Sequence, residues 1–229
     1  MTRDPFPPAL RERLGRARPD VAHPGAFPTA TLPPTDEAIA QFTVACQTVG
    51  GRVSHAASAA DVVDVVVQYL EAPEWRDASE ARGSFVAWDA DHMPAPGIPA
   101  LLEARGVDRL DAYVHIEQAA RDADYARLDR AVVGVTGAHA ALADTGTIAL
   151  VHGAGRPRLV SLLPPVHVAV VSAGRLHATL GSWLRGEPRL LADAANVVLV
   201  TGPSRTADIE MTLTRGVHGP RIVHVVFVP

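Results

Sequence analysis

Residues Val197–Pro220 read VVLVTGPSRTADIEMTLTRGVHGP and contain the strongest fold signals of the chain. The apolar, mostly β-branched run Val197–Val200 predicts a buried strand. A Thr-Gly-Pro-Ser loop ends this run, and a helix-compatible segment then extends to Gly216, a residue type that often ends helices. The stretch therefore predicts a strand, a tight loop and a helix, followed by a final strand over Arg221–Val228.

The loop before this predicted helix has the composition of an anion site. Ser204 or Thr206 can cap the helix, and the free N–H groups of a first helical turn attract carboxylates and phosphates. Arg205 adds a fixed positive charge beside the turn at Gly202. Gly202, Ser204 and Arg205 are therefore candidate anion-binding residues, and the alternative is a helix cap with a surface ion pair.

Strand and helix patterns alternate along the rest of the chain. The predicted helices are 35–50, 58–70, 99–105 and 178–184, with one or two helical turns at 138–143; the further strands are 52–56, 84–88, 131–137, 148–151 and 166–171. This alternation with short connections predicts an α/β fold with a mostly parallel sheet and helices on both faces. Within residues 132–151 two strands are close enough in sequence to allow an antiparallel connection.

The composition indicates a globular protein and excludes several kinds of function. The chain has 229 residues, of which 48% are hydrophobic and 20% charged, and fits one α/β domain over 35–229 after a proline-rich arm over 1–34, or at most two small domains. The net charge of -4 gives no general attraction to nucleic acid. All 21 basic residues are arginine, which excludes Schiff-base lysine chemistry and a P-loop.

Cysteine and histidine content argues against a redox or metal centre in this chain. Cys46 is the only cysteine, so the chain can form neither an internal disulfide nor the usual iron–sulfur ligation. Its helical setting favours a small buried residue over a reactive thiol. Four histidines near the predicted strand ends form no recognised ligand motif, so we expect no metal site: His139, His152, His167 and His218. The alternating pattern of His167 and His224 with valines favours hydrogen-bonded structural roles.

We expect a cytoplasmic location from the start and the hydropathy of the sequence. The first residues contain charges and prolines and no apolar leader segment. No apolar run approaches the length of a transmembrane helix.

Further candidate site residues follow the predicted strands. Ligands of open α/β sheets bind beyond the carboxyl ends of the strands, so we predict that the loops at 136–147, 152–158 and 201–206 converge. This adds ligand-binding candidates at Thr136, Thr145, Gly146, Thr147 and Arg158. Asp144 is the candidate base or nucleophile, and a structural turn is the alternative for it.

Three motifs together carry a family resemblance. Residues 135–148 and 158–167 read VTGAHAALADTGTI and RLVSLLPPVH, and the third motif combines TGPSRTADIE at 201–210 with GVHGP at 216–220. In this order they resemble the lactate utilisation protein C group of the LUD-domain family. The resemblance is close over about 130–229, weaker over 36–129, and absent from the arm. The family commonly has glutamate where Asp144 stands.

The resemblance implies a Rossmann-like fold of the ribose-phosphate isomerase and CoA-transferase type. It also implies a part in oxidising L-lactate to pyruvate, beside partner proteins that hold the oxidoreductase and iron–sulfur centres. On this basis we expect a subunit without a cofactor of its own, which binds partners or a small carboxylate or phosphate-bearing ligand. The alternative, motivated by Asp144 and the anion-binding loops, is a stand-alone acyl or CoA transferase or an isomerase.

Overall fold

A computed structural model describes residues 32–33, 35–75, 83–190, 194–207 and 213–229. The helices within them are α1 (Thr35–Thr48), α2 (Ala59–Leu70), α3 (Ile98–Ala104), α4 (Gln118–Leu128) and α5 (Leu180–Gly186). The strands are β1 (Arg52–His55), β2 (Ser84–Ala87), β3 (Ala131–Gly137), β4 (Ala140–Leu142), β5 (Thr147–His152), β6 (Val166–Ser172), β7 (Leu176–His177), β8 (Asn196–Val200), β9 (Arg205–Ala207), β10 (Leu213–Arg215) and β11 (Ile222–Val228). The predicted arm lies outside the described residues except for 32 and 33, so the domain boundary at 35 stays a prediction.

The first sheet has five parallel strands in the order β1-β11-β6-β3-β2. Every residue of β2 and β3 is buried, as expected for strands that are covered on both faces. The predicted α/β fold with a mostly parallel sheet is confirmed. No helix in the described part of the chain is both long and apolar enough to cross a membrane.

Helices cover both faces of this sheet. On one face, the Phe42 ring of α1 packs edge-on against the Phe227 ring of β11, with centroids 5.2 Å apart. On the other face, the Tyr69 hydroxyl of α2 lies 2.9 Å from His224 Nδ1. Residues three positions apart on a strand point to opposite faces, so α1 and α2 lie on opposite sides of the sheet.

Two sequence features, the cap of α2 and the cysteine of α1, have local structural roles. Ser58 Oγ accepts a hydrogen bond from the Asp61 N–H, and the Asp61 carboxylate accepts one from the Ser58 N–H at 2.9 Å, so the two residues form a capping box. In α1, Cys46 is 1% exposed, and burial raises the pKa of its thiol to about 11. The structural interpretation of Cys46 is therefore confirmed.

The second sheet has four strands in the order β7-β4-β5-β8. β4 and β5 form an antiparallel hairpin, and β8 pairs antiparallel with the other side of β5. Ile148 and Leu150 of β5 belong to the main core, whereas Ala149 and Val151 pack with Trp183 of α5 in a smaller cluster. The antiparallel connection predicted within residues 132–151 is present.

Two secondary-structure predictions are wrong, and so is the predicted burial of the strand Val197–Val200. Residues 138–143 contain β4. Hydrogen bonds to β5 on one side and β7 on the other keep β4 extended despite its alanine content. The segment predicted as a helix up to Gly216 begins with β9, which pairs antiparallel with β10, so its described ends are strands. Val197–Val200 lies in the second sheet as a partly exposed edge strand, and is not a buried strand of the parallel sheet.

Candidate functional site

A cleft of about 280 Å³ lies at the carboxyl edge of the parallel sheet, where β2, β3 and β6 end. β4 follows β3 directly, so the hairpin partner β5 also ends at this edge. The loops after β2 and β5 meet there, since the Asp89 N–H donates to the Gly155 carbonyl oxygen at 2.9 Å. The polar side chains that line the cleft are Asp91, His92, His139, Arg156, Ser172 and Arg175.

Arg156 supplies a positive charge to this cleft. Its guanidinium lies over Gly153, with one terminal nitrogen 3.0 Å from where a Cβ at Gly153 would be. The Arg156 Nε atom is buried and has no hydrogen-bond partner among the described residues. No carboxylate in the described part of the chain forms an ion pair with Arg156. An anion in the cleft would therefore give the guanidinium a charged partner.

His139 lines the same cleft as Arg156 and also has an unsatisfied nitrogen. Its Nε2 atom is 3.9 Å from Glu187 Oε1, its ring centroid is 5.7 Å from that of Trp183, and its Nδ1 atom is buried without a partner in the described structure. Burial lowers the pKa of His139; the Glu187 charge opposes this change, and the Arg175 and Arg156 charges reinforce it. The neutral imidazole can therefore donate or accept one further hydrogen bond.

Arg175 neutralises the charge of Glu187, which is the only acidic residue within ion-pair distance of His139 among the described residues. Arg175 lies 3.3 Å from the same Glu187 oxygen that faces His139. Because this pair is internally neutral, Arg156 is the cation of the cleft that remains for a ligand, and the exposed Asp91 adds a negative charge to the lining.

The interior behind the cleft holds a buried polar pair. Thr136 Oγ1 and His167 Nε2 are 2.8 Å apart, and neither residue is exposed to solvent. His152 is also buried, with its ring centroid 5.6 Å from that of Trp88. Thr136 thus lies near the carboxyl edge, as predicted, but its hydroxyl is bonded within the core. The predicted structural roles of His167 and His224 are confirmed by their hydrogen bonds.

Most of the other predicted site residues converge at the amino edge of the parallel sheet, on the opposite side from the cleft. The hairpin tip and the loop after β8 meet there, since Thr147 Oγ1 lies 2.8 Å from Thr201 Oγ1. The Ser204 N–H donates to the Pro220 carbonyl oxygen at 2.9 Å, just before β11 begins. The predicted residues at this edge are Asp144, Thr145, Gly146, Thr147, Gly202, Ser204 and Arg205.

The contacts at this amino edge join the second sheet to the end of α1. A Cβ on Gly146 would lie 2.2 Å from the Cys46 nitrogen, so only glycine allows the hairpin tip to approach the helix this closely. The Arg205 guanidinium donates to the Val49 carbonyl oxygen. Asp144 is exposed and accepts a hydrogen bond from Thr145 Oγ1 at 3.2 Å.

The predicted convergence of all three loops is therefore wrong. Residues 144–147 and 201–205 meet at one edge of the sheet, whereas 136–139 and 152–156 meet at the other. The predicted helix N-terminus at Ser204 is replaced by β9, so the anion site proposed there loses its helical N–H groups. Arg158 is exposed at the start of a 3₁₀ turn and does not line the cleft.

Comparison with known proteins identifies the family. The sequence matches the model of the LUD domain over residues 39–228. The chain belongs to the LUD domain family.

Several relatives of this LUD domain have a descriptive name. It is 32% identical to lactate utilization protein C of Geobacillus sp. strain WCH70 over 151 residues, which cover 62% of this chain and 61% of that protein. It is 35% identical to lactate utilization protein C of Macrococcus caseolyticus over 143 residues, 60% of this chain and 58% of that protein. The alignments thus span less than two thirds of these relatives' length.

A solved structure agrees with the architecture of the LUD domain described above. The crystal structure of a DUF162 family protein from Deinococcus radiodurans superposes with a TM-score of 0.55 at 25% sequence identity. The superposition covers 88% of this chain and all of that chain.

Sequence reasoning missed the main cleft residue of this LUD domain. The loop after β5 reads HGAGRPR and contains two arginines, of which Arg158 was predicted and Arg156 lines the cleft. The turn in which Gly153 and Arg156 exchange backbone hydrogen bonds directs the Arg156 side chain over Gly153. The alternation of glycines before Arg156 was the available signal, because glycine leaves room for a side chain to lie over the backbone.

Proposed function

We propose that this LUD domain is a component of an L-lactate utilisation system, in which L-lactate is oxidised to pyruvate. In this proposal the domain binds a small monocarboxylate at the cleft, and partner subunits provide the oxidoreductase and iron–sulfur centres. The relatives named lactate utilization protein C, at 32% and 35% identity, support the pathway.

One observation supports the proposal that the cleft binds a monocarboxylate. The Arg156 guanidinium has no carboxylate partner among the described residues and lines the same cleft as His139, whose Nδ1 is unsatisfied, at the strand edge where α/β sheets bind ligands. A carboxylate can accept hydrogen bonds from a guanidinium in a bidentate arrangement. The neutral His139 ring can meet a hydroxyl or keto oxygen on the adjacent carbon. Lactate and pyruvate both have this combination of groups.

Replacing Arg156 with glutamine is expected to weaken lactate or pyruvate binding by about ten- to a hundredfold. A hydrogen bond to a charged group contributes about 1.5–3 kcal/mol, which corresponds to this range of affinity. Calorimetric titration of both ligands into wild type and Arg156→Gln measures the change. Arg158→Gln is the matched control, because Arg158 is exposed and lies outside the cleft. Equal affinities in wild type and Arg156→Gln would contradict the proposal.

The purified chain is expected to hold no stoichiometric iron and not to oxidise lactate alone. A single cysteine does not supply the usual four-thiolate ligation of an iron–sulfur cluster. Iron analysis and visible absorption spectra of the purified protein test the first part, and lactate turnover with an artificial electron acceptor tests the second. Co-purification from native cells should recover iron-containing partners. Turnover by the isolated chain would favour the alternative of a stand-alone enzyme.

A further inference from the structure

A second cavity of about 440 Å³ adjoins the cleft and shares part of its wall. His139, Val151 and Arg156 line both cavities. The second cavity is otherwise lined by the segment after α5, including Pro188 and Leu190. A ligand bound at Arg156 therefore has access to a second space that the three-carbon skeleton of lactate would leave unfilled.

The far wall of this second cavity is mainly apolar. Leu190 and Ala194 pack on the small core cluster around the buried Trp183, and Pro188 precedes them at the rim. The polar groups lie at the junction with the cleft, where Glu187 faces His139 at 3.9 Å. Arg189 also lines the cavity and has interactions of its own. The cavity thus has a polar end at the cleft, and its other wall combines the apolar Pro188, Leu190 and Ala194 with Arg189.

The charged groups where the cleft and the second cavity meet favour a ligand with a single negative charge. Glu187 is compensated by Arg175 at 3.3 Å, and burial favours the neutral form of His139. Arg156 is then the one cation at the junction without an ion-pair partner in the described structure. One unpaired guanidinium matches a monoanion such as a carboxylate better than a phosphate dianion.

We propose that this LUD domain binds a monocarboxylate with an extended alkyl tail, whose carboxylate lies at Arg156 and whose tail lies against Leu190 and Ala194. The inference rests on the anion site of the proposed function but extends the ligand beyond lactate and pyruvate. Transfer of each tail methylene from water to the apolar wall favours binding by about two- to fourfold. Affinity therefore rises with tail length until the cavity is filled.

The test is a calorimetric series of lactate, butyrate, hexanoate and octanoate with the full chain. Affinity is expected to increase by about two- to fourfold per methylene for the unsubstituted acids. Arg156→Gln should weaken all members of the series by a similar factor, because they share the carboxylate contact. Octylamine, with the same tail and a positive charge, should bind at least tenfold more weakly than octanoate, and inorganic phosphate should also bind more weakly.

Three variants locate the tail. Leu190→Ala should reduce the increase per methylene, and Ala194→Leu should weaken octanoate by at least tenfold while sparing butyrate. Leu184→Ala is the matched control, because Leu184 packs on the same cluster but lines neither cavity. Leu184→Ala should keep the wild-type dependence on tail length. Thermal unfolding of each variant verifies that it is folded.

The outcomes separate this inference from the proposed function. If lactate binds through Arg156 but affinity is independent of tail length, the extended ligand is wrong and the proposed function stands. If octanoate binds through Arg156 and lactate does not, the inference stands and lactate is not the ligand. Equal binding of octylamine and octanoate, or an unchanged series in both Leu190→Ala and Ala194→Leu, would overturn the inference.

Discussion

Replacing Gly134 with alanine is expected to destabilise the protein by at least about 3 kcal/mol, at the upper end of the range for overpacked cores. Gly134 lies in the middle of β3, and a Cβ at this position would be 1.8 Å from the Val160 carbonyl oxygen. This neighbour is backbone, so no side-chain rotation can relieve the overlap. Either β3 or the 3₁₀ turn at Arg158–Ser161 has to move. Urea denaturation of wild type and variant measures the loss.

Gly186→Ala is the matched control for Gly134→Ala. Gly186 ends α5, and a Cβ there would meet no atom within 4 Å. Alanine has the higher helix propensity, so this variant should be as stable as wild type or slightly more stable. A Gly134→Ala protein that unfolds within about 1 kcal/mol of wild type would show that β3 and the turn are not packed as described.

The free energy of unfolding is expected to fall as the pH drops from about 6.5 to 4. Burial lowers the pKa of His167 from 6.5 to about 3, and burial followed by the Arg52 charge lowers that of His224 to about 4. In this pH window the unfolded chain binds more protons at these histidines than the folded chain does. Proton uptake therefore favours unfolding, by up to about 1.4 kcal/mol per pH unit for each histidine.

The histidine contribution can be separated from that of acidic groups. Hydrogen bonds from the backbone and ring of His115 lower the pKa of Asp124 from 3.8 to about 2, so its stabilising effect is lost only at more acidic pH. Urea denaturation at pH 7, 6 and 5 should give a smaller pH dependence for His167→Gln than for wild type. Thr136→Val removes the hydrogen-bond partner but keeps the imidazole, and should retain most of the pH dependence. Identical slopes for wild type and His167→Gln would rule out His167 as the source.

The parallel core was predictable because its local signals agree with its environment. The runs 84–87, 131–137 and 166–171 are apolar, short and bounded by loops, which is the pattern of strands buried on both faces. The cap of α2 at Ser58 likewise depends only on residues that are neighbours in the sequence. By contrast, the alanines of β4 favour a helix in isolation, and only pairing with β5 and β7 makes them a strand.

The candidate site was only partly predictable because the sequence pattern gives strands without their direction. β8 has the composition of a parallel core strand, but it runs antiparallel to β5 in the second sheet. Its carboxyl end therefore points to the amino edge of the first sheet and takes Ser204 and Arg205 away from the cleft. The cleft at the carboxyl edge is lined by the segments that follow β2, β3, β5 and β6, and Arg156 lies in the one after β5.

The position of β11 between β1 and β6 also governs the order in which the domain can be completed during synthesis. The Ser54 hydroxyl of β1 contacts His224 of β11 across 170 positions of sequence. Among the described strands β1 pairs only with β11, so its edge stays open to other chains from the time it leaves the ribosome until β11 has emerged. Closing so long a loop late also slows folding. A stalled nascent chain that stops before residue 222 should therefore bind chaperones, whereas one that exposes β11 should resist protease.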